Sequence, residues 1–195
     1  MIPVIHFEHQ FLWILGAAGL SLLLSRLMKR QEKKFITHDG SLRDFGIMDL
    51  EFPSNGKDIP NIIRGIYRLN SEEKTKEVIA ALRSNLLLDY LFMPATYGAI
   101  FLLCMSVAYY LQEFPVEQGF FALLAWLQFL AWAFDFLENA MLLSFLRKDI
   151  EKEIPKAKHL FFVSIVWAKW GIAIIGGICA LMMMVYFWVT GRVDV

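Results

Sequence analysis

Two cysteines among 195 residues are too few to staple a small secreted domain with disulfides. Net charge is also missing. The 19 Lys and Arg are matched by 19 Asp and Glu, which removes the basic surplus that a nucleic-acid-binding chain carries, and no nucleic-acid partner is expected. Charged residues make up only 19% of the chain and apolar ones 57%, which excludes intrinsic disorder and departs from the make-up of a soluble domain. No nucleotide loop, zinc-ligand spacing, nucleophile elbow or glycine-rich phosphate cradle occurs, so no cofactor is expected. His6, His9, His38 and His159 are scattered, and no shared metal site is expected of them.

What the chain does have is long uncharged runs. Four of them, from His9 to Ser25, Tyr90 to Gln112, Gln118 to Phe134 and Trp170 to Gly191, are long enough to cross a bilayer. About 17 to 25 helical residues cover a hydrocarbon layer of roughly 30 Å, and backbone polar groups in lipid must be satisfied within a helix. The expected architecture is all-α, a polytopic bundle of four transmembrane helices at about 9–28, 86–112, 118–146 and 160–190, with a small cytoplasmic cap at 30–84. The first run lacks a basic leader and is followed by Arg26, Lys29, Arg30, Lys33 and Lys34, so it is expected to stay as an anchor.

Orientation follows from where the basic residues fall. Twelve lie from Arg26 to Arg83 and five from Arg147 to Lys158, and both groups belong on the cytoplasmic side. Glu8, Glu113, Glu117, Asp194 and Arg192 are then outside, which predicts an N-out, C-out protein of a bacterial inner membrane. Gly16, Gly19, Ala173, Gly176, Gly177 and Ala180 are expected to let the first and last spans approach closely.

Within the cap, Asp39 and Gly40 suggest a hairpin turn, and Ile59 to Arg68 reads as a short amphipathic helix after Pro60. Asn70 with Glu73 resembles a capping pair, Glu72 with Lys76 a helical ion pair, and a helix starting near Ser71 is expected to run straight into the second span.

Ionisable residues at membrane depth usually face the bundle interior and mark a site. Here they are Asp89 on the second span, Asp135 and Glu138 on the third with Asn139 beside them, and Lys169 on the fourth. Counted from the outer charged ends at ~1.5 Å per residue, they fall about 27 to 36 Å along their helices, at one level near the inner edge of the hydrocarbon layer. Each helix continues apolar beyond its charge, so the cap is expected to cover the extensions. Gln128, Asp135, Glu138, Asn139 and Leu142 share one helical face. Asn85, Asp89, Thr96 and Tyr97 fall on nearby faces of the second span, where Pro94 is expected to kink the helix and widen a cavity. Three carboxylates against one amine leave a negative surplus that a low-dielectric pocket balances with a proton or a cation. Asp135 and Glu138 are the candidate acid and base, and Asn85, Tyr97, Gln128 and Lys169 complete the expected ligand-binding set.

The segments Leu88 to Pro94, Asp135 to Asn139 and Ala168 to Trp170 resemble those of small uncharacterised bacterial four-helix membrane proteins. That resemblance implies the architecture and a shared polar core, and no chemistry. Buried acids in a small bundle also look like those of the sterol-isomerase and sigma-receptor superfamily, from which this chain departs in having no histidine at the depth of its acids. Three functions compete: a pocket for a small amphiphilic or lipid-like ligand, a noncatalytic membrane subunit touching lipid or a protein, and a proton-coupled transporter.

Overall fold

The computed structural model describes residues 3–5, 9–147 and 149–191. His6, Glu8, Arg192 and Asp194 lie outside the described residues. The described chain runs α1 (Gln10–Glu32), β1 (Ile36–Asp39), β2 (Ser41–Asp44), α2 (Ile47–Glu51), α3 (Asp58–Tyr67), α4 (Glu72–Tyr110), α5 (Pro115–Phe145) and α6 (Lys156–Val189). Four of these helices, α1, α4, α5 and α6, are long and apolar enough to cross a membrane.

The described residues pack as two units, one drawn from Met1–Leu22, Phe92–Phe134 and Ala168–Val195, the other from Leu23–Leu91 and Asp135–Trp167. The first has a core of Cys104, Met105, Val107 and Ala108 from α4, Leu111 just after it, Ala122, Leu124 and Ala125 from α5, and Ala180 and Phe187 from α6. Small side chains on three helices bring backbones close enough for Cys104 Sγ to reach the Gly176 carbonyl at 3.6 Å. By contrast, α1 is held by few polar ties. Gln10 Nε2 donates to the Leu102 carbonyl at 2.8 Å, and Thr96 Oγ1 to Ser21 Oγ at 3.1 Å.

The expectation that glycines join the first and last spans is corrected here. A Cβ at Gly16 or Gly19 would meet nothing within 4 Å, whereas one at Gly176 would meet Gln128 on α5 and Ile100 on α4. The close approach at Gly176 therefore involves α4, α5 and α6.

In the second unit the segment between α1 and α4 folds onto helix ends. Its hairpin turns at Gly40, whose φ of 77° suits glycine, with Ile36 opposite Asp44 and Asp39 opposite Ser41. Phe35 and Phe45 stack across the hairpin base with ring centroids 5.3 Å apart. Helix α3 buries Ile59, Ile62, Ile63 and Ile66, as its 3–4 spacing requires. Thr37 on β1 donates to the Ile62 carbonyl at 2.8 Å, with Gly65 lying flat against the same strand.

The segment is tied at several points to the end of α5, the loop that follows and the start of α6. Tyr67 Oη donates to the Leu146 carbonyl at 3.3 Å and Arg64 to the Lys152 carbonyl at 3.2 Å. The Ile154 amide donates to the Gly56 carbonyl at 2.8 Å, and Phe52 meets Trp167 edge-on. Helix α4 starts at Glu72 and continues without a break through Pro94. Its cap is Ser71, whose Oγ accepts from the Lys74 amide at 3.4 Å, rather than Asn70. The Glu72–Lys76 ion pair forms at 2.8 Å, but both side chains are so exposed that it contributes little.

Candidate polar layer and cavity

The pattern of α5 is inverted relative to a helix of a water-soluble protein. Its buried stripe includes Ala125, Gln128, Ala131, Asp135, Glu138, Asn139, Leu142 and Phe145, at spacings of three and four, whereas its exposed side carries Phe129, Leu130, Trp132, Phe136 and Leu137. The polar side chains are inside. Asp135 is 5% exposed, Glu138 0% and Asn139 2%, while Phe136 between them is 53% exposed.

In the second unit Asn139 joins α5 to α4. Its Nδ2 donates to Asp89 Oδ2 at 2.6 Å, a short bond of the kind a carboxylate acceptor makes. Tyr90 and Phe136, the next residue after Asp89 and Asp135 respectively, meet edge-on with ring centroids 5.1 Å apart and fix the facing of the two helices. One turn earlier on α4, buried Asn85 donates to the Met28 carbonyl of α1 at 3.0 Å, and its Oδ1 has no hydrogen-bond partner among the described residues. Asp135 and Glu138 follow each other by one turn on the buried stripe, so their carboxyl groups project to the same side. The unit thus holds three carboxyls and two amides on neighbouring turns of two helices, a set able to accept from hydroxyl or ammonium donors.

In the first unit Lys169 is 4% exposed, with Nζ 5.8 Å from the centroid of the Trp170 ring. Tyr97 and Gln128 line a cavity of about 170 Å³ with Pro94, Gly98, Phe101, Phe129 and Trp132. Pro94 and Gly98 also line a larger apolar groove of about 590 Å³ with Trp13, Gly16, Ala17, Leu20 and Leu102. The structure therefore bonds Asn139 to Asp89 and places Tyr97 and Gln128 in the lining of one cavity. Lys169 belongs to the first unit and the acids to the second.

Sequence reasoning missed the aromatic lining of that cavity and the part played by Gly176. A usable signal was present in Phe129 and Trp132, three apart on one face of α5, set against a proline and a glycine four apart on α4. No family model, curated protein or solved structure matches this chain.

Proposed function

We propose that this protein is an integral membrane protein of a bacterial inner membrane, with both ends outside, and that Asp89, Asp135, Glu138 and Asn139 bind the polar head of a small amphiphilic or lipid-like ligand. The observation that carries this reading is the inversion on α5, with acids enclosed and large apolar side chains outward. Such a surface is stable against lipid tails and costly in water, and enclosed acids in such a helix are retained for use. The cytoplasmic placing of the 26–83 and 147–158 segments rests on their basic residues, and the carboxyl of Asp135 or Glu138 is the group that would move a proton if the ligand is transformed.

Orientation is checked with single cysteines in a Cys104→Ala, Cys179→Ala background. A cysteine at position 116 should react with a membrane-impermeant maleimide added to intact cells, and one at position 55 only after lysis; the reverse pattern discards the N-out placement. For the ligand, native mass spectrometry of the detergent-purified protein should show a retained amphiphile. Its occupancy should fall about tenfold in Asp135→Asn, Glu138→Gln, as expected when charge-assisted contacts to a head group are lost. A wild-type protein that emerges free of any bound amphiphile, with melting unchanged by added lipids, removes the binding reading.

A second reading has its own support in the Asn139–Asp89 bond, which is a helix-to-helix tie in its own right. In that reading the acids fix helix register in a noncatalytic membrane subunit. Retention of cellular function when Asp135 and Glu138 are both made neutral, in a protein that still folds, selects it over ligand binding.

A further inference from the structure

Helix α1 changes character before it ends. Leu23 is 56% exposed and belongs with the apolar side chains that α1 shows to its surroundings. One turn further on, Arg26, Lys29 and Arg30 are exposed at spacings of three and four, and exposed Lys33 follows them in the turn that closes the helix. At about 3.6 residues per turn the three helical bases fall on the side opposite buried Leu24. They point away from α4, where Asn85 donates to the Met28 carbonyl.

The protein supplies these bases with no counterion. Among the described residues none of the four side chains makes an ion pair or a hydrogen bond, although Lys34 beside them pairs with Glu77 at 3.1 Å. The single acid of α1, Glu32, is committed elsewhere, its Oε1 accepting from the Ile47 amide at 2.9 Å. Like charges one turn apart on a helix repel, as Arg26 does Arg30. The helix dipole offsets part of that repulsion for Lys29 and Arg30 in the last turn, but it does not reach Arg26. An anion from outside the chain relieves the remainder.

We infer, on the reading that this protein spans a membrane, that Arg26, Lys29, Arg30 and Lys33 form a face that gathers anionic phospholipids, with their phosphates on the bases and their tails along the leucines of α1. Depth favours lipid over an acidic protein. Arg26 stands only about 4.5 Å along the helix from Leu23, so the face begins where hydrocarbon gives way to head groups. From Arg26 to Lys33 it rises about 10 Å, enough to cover the head-group layer. Each base at a membrane surface strengthens the attraction for anionic lipid about fivefold, and here four of them act on the same few head groups.

The test uses the full chain carrying Cys104→Ala, Cys179→Ala and Ser25→Cys, labelled with bimane at position 25 beside the face and reconstituted in phosphatidylcholine vesicles. Quenching is compared for phosphatidylglycerol and phosphatidylcholine, each brominated high on its tails. Phosphatidylglycerol should associate beside the label about tenfold more strongly than phosphatidylcholine. The preference should shrink in about 1 M salt, where the screening length is roughly 3 Å. Adding Arg26→Gln, Lys29→Gln, Arg30→Gln and Lys33→Gln should bring the two lipids to within about twofold. Adding Lys57→Gln, Arg68→Gln, Lys74→Gln and Lys76→Gln instead removes as much charge and should leave the preference in place. Equal quenching by the two lipids in the protein with all its bases overturns the inference, whatever the variants do, and leaves the face to an acidic protein partner. A preference that survives loss of the four α1 bases, or disappears with the four distant ones, overturns it as well. Quenching by neither lipid is a different failure, since it removes the membrane reading itself.

Discussion

Gly65→Ala is expected to loosen the segment between α1 and α4 by about 3 kcal/mol, in spite of the helix propensity that alanine brings. A Cβ at this position of α3 would collide with Thr37 Oγ1 and stand 3.0 Å and 3.1 Å from the backbone of His38, so the helix must back away from β1. In doing so it gives up the Thr37 bond to the Ile62 carbonyl and uncovers Ile62 and Ile66, which are fully buried against that side. The gain from replacing a helical glycine is only about 1 kcal/mol, and the sign is decided by the clash. Hydrogen exchange over residues 36–66 in detergent should rise by roughly two orders of magnitude, which is what about 3 kcal/mol of local opening amounts to. Thr37→Ala combined with Gly65→Ala should recover part of the loss, because the nearest obstructing atom is then gone. Unchanged exchange in the single variant would show that α3 does not rest on β1 as described.

Asn139→Leu is the second large effect. It removes the donor that Asp89 Oδ2 accepts from at 2.6 Å and puts an apolar side chain against a carboxylate. Losing one partner of a charge-assisted bond in a partly enclosed place costs about 1.5 to 3 kcal/mol, whereas replacing both partners by apolar groups of similar shape costs much less. The melting temperature should therefore fall markedly in Asn139→Leu and recover substantially in Asp89→Leu, Asn139→Leu. Independent, additive losses in the two single variants would mean that the bond does not hold α4 to α5.

How far the residues alone revealed these features depends on the range of the interactions involved. Helix α3 was legible because Ile59, Ile62, Ile63 and Ile66 repeat at helical spacing, and the turn was legible because Asp39 followed by Gly40 is a two-residue hairpin signal even between poorly alternating flanks. The shared face of Gln128, Asp135, Glu138, Asn139 and Leu142 was legible for the same reason. Helix α2 was not, since five residues carry too little periodicity to announce a helix. The cap was placed at Asn70 instead of Ser71 because both residue types suit that role, and a choice between neighbours turns on backbone geometry. Gly16 and Gly19 were misread because a small residue marks a possible close approach without naming its partner.

Composition and local spacing by themselves determined four long apolar helices, the segregation of charge between their ends, and the polar stripe of α5. These follow from backbone hydrogen bonding and from a period of 3.6 residues, which need no distant partner. Only the tertiary structure decided that Asn139 meets Asp89, that Gly65 must stay bare beneath Thr37, and that Gly176 leaves room for the Gln128 amide. Each of those joins residues 28 to 50 positions apart, and the physical reason is that a contact across helices depends on their rotation and offset, which the whole set of packed side chains sets together.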